Sequence, residues 1–203
     1  MIDTSGSIGS SHFQLIREFT ANLTVELINS SPRSKVGVIL FSDNAHIQFN
    51  LQAYDNLNSL LLAINQLSYS GGGTDTAEAL TLLLSTALNG AIGLRNDSSK
   101  VAIVITDGYS NDASATISAA SALHASNIFD VFAVGVGGAN LTELVGIASS
   151  PELVFFTTFF NSTGLQQLQD KIIPELCACK LSDLKSRTIH VPRKHISKVY
   201  ATD

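Results

Sequence analysis

Three runs of this chain are nearly continuous in apolar and β-branched residues: Val36–Phe41, Val101–Thr106 and Val131–Val136. None shows the polar alternation of a strand with one wet face. Such runs fit parallel strands covered on both sides. A fourth, Ala45–Leu51, does alternate, with Ile47, Phe49 and Leu51 on one side. It reads as an edge strand, joined to the first run through Ser42-Asp43-Asn44 as a hairpin. Leu153–Phe156 reads as a last strand.

Between the runs the apolar period changes to that of a helix. Phe13, Ile16, Leu23 and Leu27 recur after a cap at Ser10 or Ser11. Helical patterns also span Asn56–Leu67, Thr76–Leu88, Ser114–Ala125 and Leu141–Ala148. The last spans Leu165–Leu176, where Pro174 interrupts it or restricts its end. Strands alternating with helices of this length predict an α/β fold, Rossmann-like, with an open, mostly parallel central sheet, helices on both faces and one antiparallel edge strand.

Composition sets outer limits. An apolar share of 45% against 14% charged residues supplies a core for one domain in a chain of 203 residues. A formal charge of -5 argues against a nucleic-acid backbone as partner. No apolar run is long enough for a membrane span. Residues 1–177 read as the domain and 178–203 as a tail or the start of another region. Only Met1 and Ile2 precede Asp3, where a strand needs about four to six residues. The expectation is a first strand truncated at the N-terminus, in a fragment of a longer protein whose signal peptide is not in this sequence. Asn-x-Ser/Thr occurs at Asn22, Asn29, Asn96, Asn140 and Asn161, which leans toward a secreted glycoprotein.

Open parallel sheets bind ligands beyond the carboxyl ends of their strands. Asp3, Ser5 and Ser7 follow the first strand, Asp107 follows Val101–Thr106, and Thr74 follows a run of three glycines, Gly71-Gly72-Gly73. All five side chains offer hard oxygen ligands, which suit Mg²⁺, an ion that takes one or two carboxylates and keeps several waters. The glycine run lets the backbone approach closely, so that Thr74 can present its hydroxyl. Gly135-Val-Gly-Gly138 lacks the full dinucleotide fingerprint.

Asp3-Thr-Ser-Gly-Ser7 matches the D-x-S-x-S signature of the von Willebrand factor type A (vWA) domain. Gly73-Thr-Asp75 resembles that family's threonine loop, and Ile105-Thr-Asp-Gly108 its second aspartate. The resemblance covers about residues 1–177 and is nearest to the extracellular-matrix members, the collagen- and matrilin-like domains. It implies a complete metal-ion-dependent adhesion site built from Asp3, Ser5, Ser7, Thr74 and Asp107. Mg²⁺ or Mn²⁺ would be the cofactor and Asp75 an outer partner of the ligand set. It further implies an extracellular module for cell or matrix adhesion that binds an acidic side chain of a partner protein through the ion, and no enzyme activity. In matrix members a cysteine after the last helix often pairs with one before the first strand, a role matched by Cys177 or Cys179. The alternatives are a metal-dependent hydrolase or phosphatase, and an intracellular assembly module. The hydrolase reading lacks a D-x-D pair, because Thr4 and Ser5 follow Asp3.

Overall fold

The computed structural model describes residues 1–187, with side chains through Leu176. Six strands form one sheet in the order β3-β2-β1-β4-β5-β6. They are β1 (Ile2–Asp3), β2 (Val38–Phe41), β3 (Ala45–Phe49), β4 (Val101–Thr106), β5 (Asp130–Val136) and β6 (Val154–Thr157). All neighbours run parallel except β2 and β3, the hairpin at one edge. The helices are α1 (Gly9–Ser30), α2 (Leu57–Asn65), α3 (Thr76–Leu88), α4 (Ala113–Ala125), α5 (Leu141–Ile147) and α6 (Ser162–Arg187).

The apolar runs serve both faces of the sheet. Val38 and Leu40 of β2 and Phe132, Val134 and Val136 of β5 pack with Phe13, Ile16, Ile64 and Leu168, which brings α1, α2 and α6 onto one face. Their alternate residues, Ile39, Phe41, Val131 and Ala133, pack with Leu80, Leu83, Ala120, Leu123 and Leu144 of α3, α4 and α5 on the other. A strand with a greasy layer on each side has no position to leave polar, which is why these runs lack alternation. Ala45 and Ile47 of β3 pack on the α3 side of the sheet, whereas Phe49, beyond a register irregularity opposite Val38 and Ile39, packs on the α1 side, so the expected common face of Ile47, Phe49 and Leu51 is broken at Phe49.

Two helices depart from expectation at their ends. The first begins at Gly9 after Ile8, and no side chain caps it, so Ser10 and Ser11 already lie inside the helix. Helix α6 starts at Ser162 and continues through Pro174 to Arg187, past the expected stop. Proline removes one backbone donor, but Leu165, Leu168, Ile172 and Leu176 are all buried along this stretch. Tertiary packing of that stripe outweighs the lost bond. Cys177 and Cys179 lie outside the residues whose side chains are described, and 188–203 lie outside the described residues altogether.

Strand β1 is two residues long yet central. Ile2 pairs with Leu40 on one side and Ile105 on the other. Strand order reverses here, so the crevice between the ends of β1 and β4 is the topological switch point of the sheet, where such folds hold their ligands.

Candidate metal-binding site at the switch point

The loop after β1 folds back on itself. Asp3 and Ser5 are buried, whereas Ser7 reaches the surface. The amide of Ser5 donates to Asp3 Oδ1 at 2.7 Å, and the Thr106 hydroxyl donates to Asp3 Oδ2 at 2.7 Å. The hydroxyls of Ser5 and Ser7 are 3.1 Å apart, and that of Ser7 donates to Asp107 Oδ1 at 2.8 Å. Asp3, Ser5, Ser7 and Asp107 thus form one connected group, assembled from two strand ends a hundred residues apart.

Thr74, itself buried, is brought beside this group by the glycine loop that precedes it. The glycine loop is stitched to the first loop by bonds from the Gly6 amide to Gly72 O at 2.8 Å and from the Gly71 amide to Thr4 O at 2.9 Å. A Cβ on Gly6 would come within 3.2 Å of Gly72 O, so this close approach needs the glycine. Gly71 and Gly72 adopt φ of 72° and 91°, the left-handed region that glycine enters without penalty. Asp75 takes a different part from the others. Its carboxylate accepts from the Glu78 amide at 2.8 Å and caps α3, while its own amide donates to Ser42 O at 2.6 Å.

Four further residues that the sequence did not single out hold these loops. Asn111 accepts from the Thr74 amide through Oδ1 at 2.9 Å. Asp43 Oδ1 accepts from the Gly73 amide at 2.7 Å. Thr106 bridges Asp3 to the Gly108 amide, which lies 3.3 Å from its hydroxyl. Glu143, buried on α5, places both carboxylate oxygens near the Ser110 amide, at 3.1 and 3.3 Å. Each is a polar residue beside a strand end or in a helix turn. None carries a spacing that would mark it in the chain.

Burial pushes the Asp3 carboxyl above its ordinary range, against the pull of its bonds to Ser5 and Thr106. Asp107 is also raised, first by burial and further by the nearby charge of Asp3, while the Ser7 hydroxyl works the other way. Two carboxylates sharing a partly dry site repel each other, and a cation between them relieves both the repulsion and the desolvation cost. Among the described residues no three His, Cys, Asp or Glu side chains come together. A cation here would therefore rely on hydroxyls beside its two carboxylates, a donor set that fits a hard ion. A cavity of about 620 Å³ lies elsewhere, toward the opposite ends of the strands. Its walls are mostly aliphatic, including Leu23, Val38, Val101 and Ile103.

The von Willebrand factor type A domain model matches residues 1–171. The chain belongs to this family. It is 38% identical to the human collagen alpha-1(XX) chain over 151 residues, which cover 74% of this chain and 12% of the collagen. It is 34% identical to chicken matrilin-1 over 186 residues, covering 89% of this chain and 37% of the matrilin. Among solved structures it resembles proximal thread matrix protein 1 from the mussel byssus, with a TM-score of 0.75 and 27% identity over 85% of this chain and 46% of that one. A structure of the same mussel protein with a zinc-occupied MIDAS motif aligns with a TM-score of 0.73 and 28% identity. This vWA chain spans less than half the length of each of these relatives.

Proposed function

We propose that this vWA domain is an extracellular adhesion module that holds a divalent cation, Mg²⁺ or Mn²⁺, and binds an acidic side chain of a partner protein through it. The observation that carries the reading is the connected group of Asp3, Ser5, Ser7 and Asp107 at the switch point, with the Thr74 loop stitched against it. Only two of its five side chains are charged. An ion held by two carboxylates and neutral hydroxyls keeps enough positive character to attract a further anionic oxygen. Tyr109, next to Gly108 and 68% exposed, offers a flat apolar surface beside that position. Asp75 supports the site as the cap that fixes the foot of the threonine loop.

The extracellular setting is supported by similarity to collagens and matrilin. No described helix is long and apolar enough to cross a membrane. For a secreted chain, N-linked glycans belong to the reading. Asn22, Asn29 and Asn96 are exposed. The side chains of Asn140 and Asn161 accept from the Thr142 and Gly164 amides near the starts of α5 and α6. A disulfide from Cys177 or Cys179 to a cysteine elsewhere would anchor the end of the domain. The hydrolase alternative draws little from the sequence or the geometry, since Thr4 and Ser5 stand where a D-x-D pair would place its second aspartate.

Calorimetric titration with Mn²⁺, followed by surface plasmon resonance against solubilised matrix proteins in Mg²⁺ and in EDTA, tests the proposal. Binding that requires the cation and disappears in Asp107→Ala is expected. Cation-independent binding that survives the substitution would refute it.

A further inference from the structure

Two carboxylates are buried among the described residues, Asp3 and Glu143. Burying a carboxylate is costly unless hydrogen bonds repay it. Asp3 is at the metal site itself. Glu143 is on another element, α5, and only 6% exposed. Its side-chain bonds, 3.1 and 3.3 Å from its two oxygens, go to a single group, the Ser110 amide. Ser110 lies three residues beyond Asp107, in the short connection between β4 and α4. Its hydroxyl is buried and has no hydrogen-bond partner in the structure. The connection is held at its far end by Asn111, whose amide donates to Thr74 O at 2.8 Å, and by Asp112, which caps α4. Between Thr106 and Asn111, Glu143 supplies the side-chain grip that fixes Ser110 to a different element of the fold.

We propose that Glu143 is a positioning residue for the metal site: through the Ser110 amide it holds the Asp107 connection in the shape that brings Asp107 to the same ion as Asp3. The inference rests on the metal-binding reading above and extends it to a residue of α5, 36 positions from Asp107 along the chain. A surface helix of seven residues gains little by burying a charge. A loop that must present a carboxylate in one orientation gains much, since side chains that orient metal ligands commonly change affinity by about 10–100-fold.

The test compares Mn²⁺ affinity in the whole chain for wild type, Glu143→Ala, Glu143→Gln and Ile147→Ala. Ile147 is fully buried on the same helix, so its truncation destabilises α5 without touching Ser110. Glu143→Ala should weaken Mn²⁺ by about tenfold or more. Glu143→Gln keeps a carbonyl acceptor for the Ser110 amide, and should bind nearly as wild type does. Ile147→Ala should melt earlier yet keep its affinity. Wild-type affinity in Glu143→Ala, or an equal loss in Ile147→Ala, would overturn the proposal. Amide hydrogen exchange over residues 108–111 in EDTA provides an arm that needs no metal. Faster exchange in Glu143→Ala, but not in Ile147→Ala, supports the positioning role. If wild type binds no Mn²⁺ at all, the metal-binding reading fails, and unchanged exchange in Glu143→Ala would sink the positioning role separately.

Discussion

Asn111 holds Thr74 twice: its side-chain oxygen accepts from the Thr74 amide at 2.9 Å, and its own amide donates to the Thr74 carbonyl at 2.8 Å. One residue therefore locks the threonine loop to the loop that carries Asp107. Asn111→Ala keeps the backbone half of this clamp and loses the other. Denaturant unfolding should show a loss of about 0.5–1.5 kcal/mol. Cation affinity should fall as well, because the threonine loop loses one of its two ties to Asn111 in the loop that carries Asp107. A variant with lower stability and unchanged Mn²⁺ titration would show that the threonine loop does not need the clamp.

Asp3→Asn separates stability from binding. The amide keeps the size of the carboxylate and can still accept from Ser5 or Thr106, while the buried charge disappears. The metal-free variant should be as stable as wild type at neutral pH or more stable, because the cost of burying the Asp3 charge is relieved. It should bind no cation. Thermal melts in EDTA and calorimetry with Mg²⁺ check the two halves. A large drop in melting temperature in EDTA would show that the Asp3 charge stabilises the fold by itself.

Acid should favour the metal-free domain at this site. Burial raises the folded-state pKa of Asp3 and of Asp107, so the folded protein binds these protons more tightly than the unfolded chain does. The stability gained is present below the ordinary carboxylate range and is lost as pH rises through the raised values. The difference in melting temperature between Asp3→Asn and wild type, measured in EDTA, should therefore grow in favour of the variant across that interval. Excess Mg²⁺ should reverse it for wild type, because the ion takes the place of the proton. A difference that is flat with pH would contradict the assignment of the shift to burial.

Much of this candidate site was legible because its oxygen-bearing side chains are concentrated. Asp3, Ser5 and Ser7 alternate within one loop, and Asp107 and Thr74 each follow a recognisable landmark, a buried strand and a glycine run. The supports were not legible for a physical reason. Asp43, Asn111 and Glu143 act on backbone amides, and an amide looks the same at every residue. Nothing at Gly73, Thr74 or Ser110 announces which distant side chain will meet it. The sheet followed the same logic: β2, β4 and β5 were visible from their unbroken apolar character, and β3 from its alternation. Helix ends were harder. A cap-rich Ser10-Ser11 pair marked the start of α1 too late, because the fold begins that helix without a side-chain cap. Pro174 marked the end of α6 too early, because the burial of Ile172 and Leu176 carries the helix across it.

Ile172 tests whether α6 behaves as a fixed strut. It is fully buried against the face shared with α1 and α2. Ile172→Ala should cost about 2–5 kcal/mol through the cavity it leaves. If binding involves no sliding of α6, partner affinity in Mg²⁺ should stay within about twofold, since loosening the helix then shifts no equilibrium between open and closed forms. Urea unfolding and surface plasmon resonance measure the two effects, and a tenfold gain in affinity would reveal a switch.

The placement of the site at β1 and β4 also decides how the domain would carry a mechanical load. A partner pulling on an ion between Asp3 and Asp107 pulls on the ends of two adjacent strands in the middle of the sheet. Tension enters along the strand axes. The ladder between β4 and β5, paired from Val101 to Thr106, resists it in shear with its bonds strained together, and the short β1 adds its pairing to β2 at Ile2 and Asp3. The same pull applied at β3 or β6 would peel an edge one bond at a time. Attachment at the centre thus loads the β4–β5 ladder along its length before any edge strand is peeled.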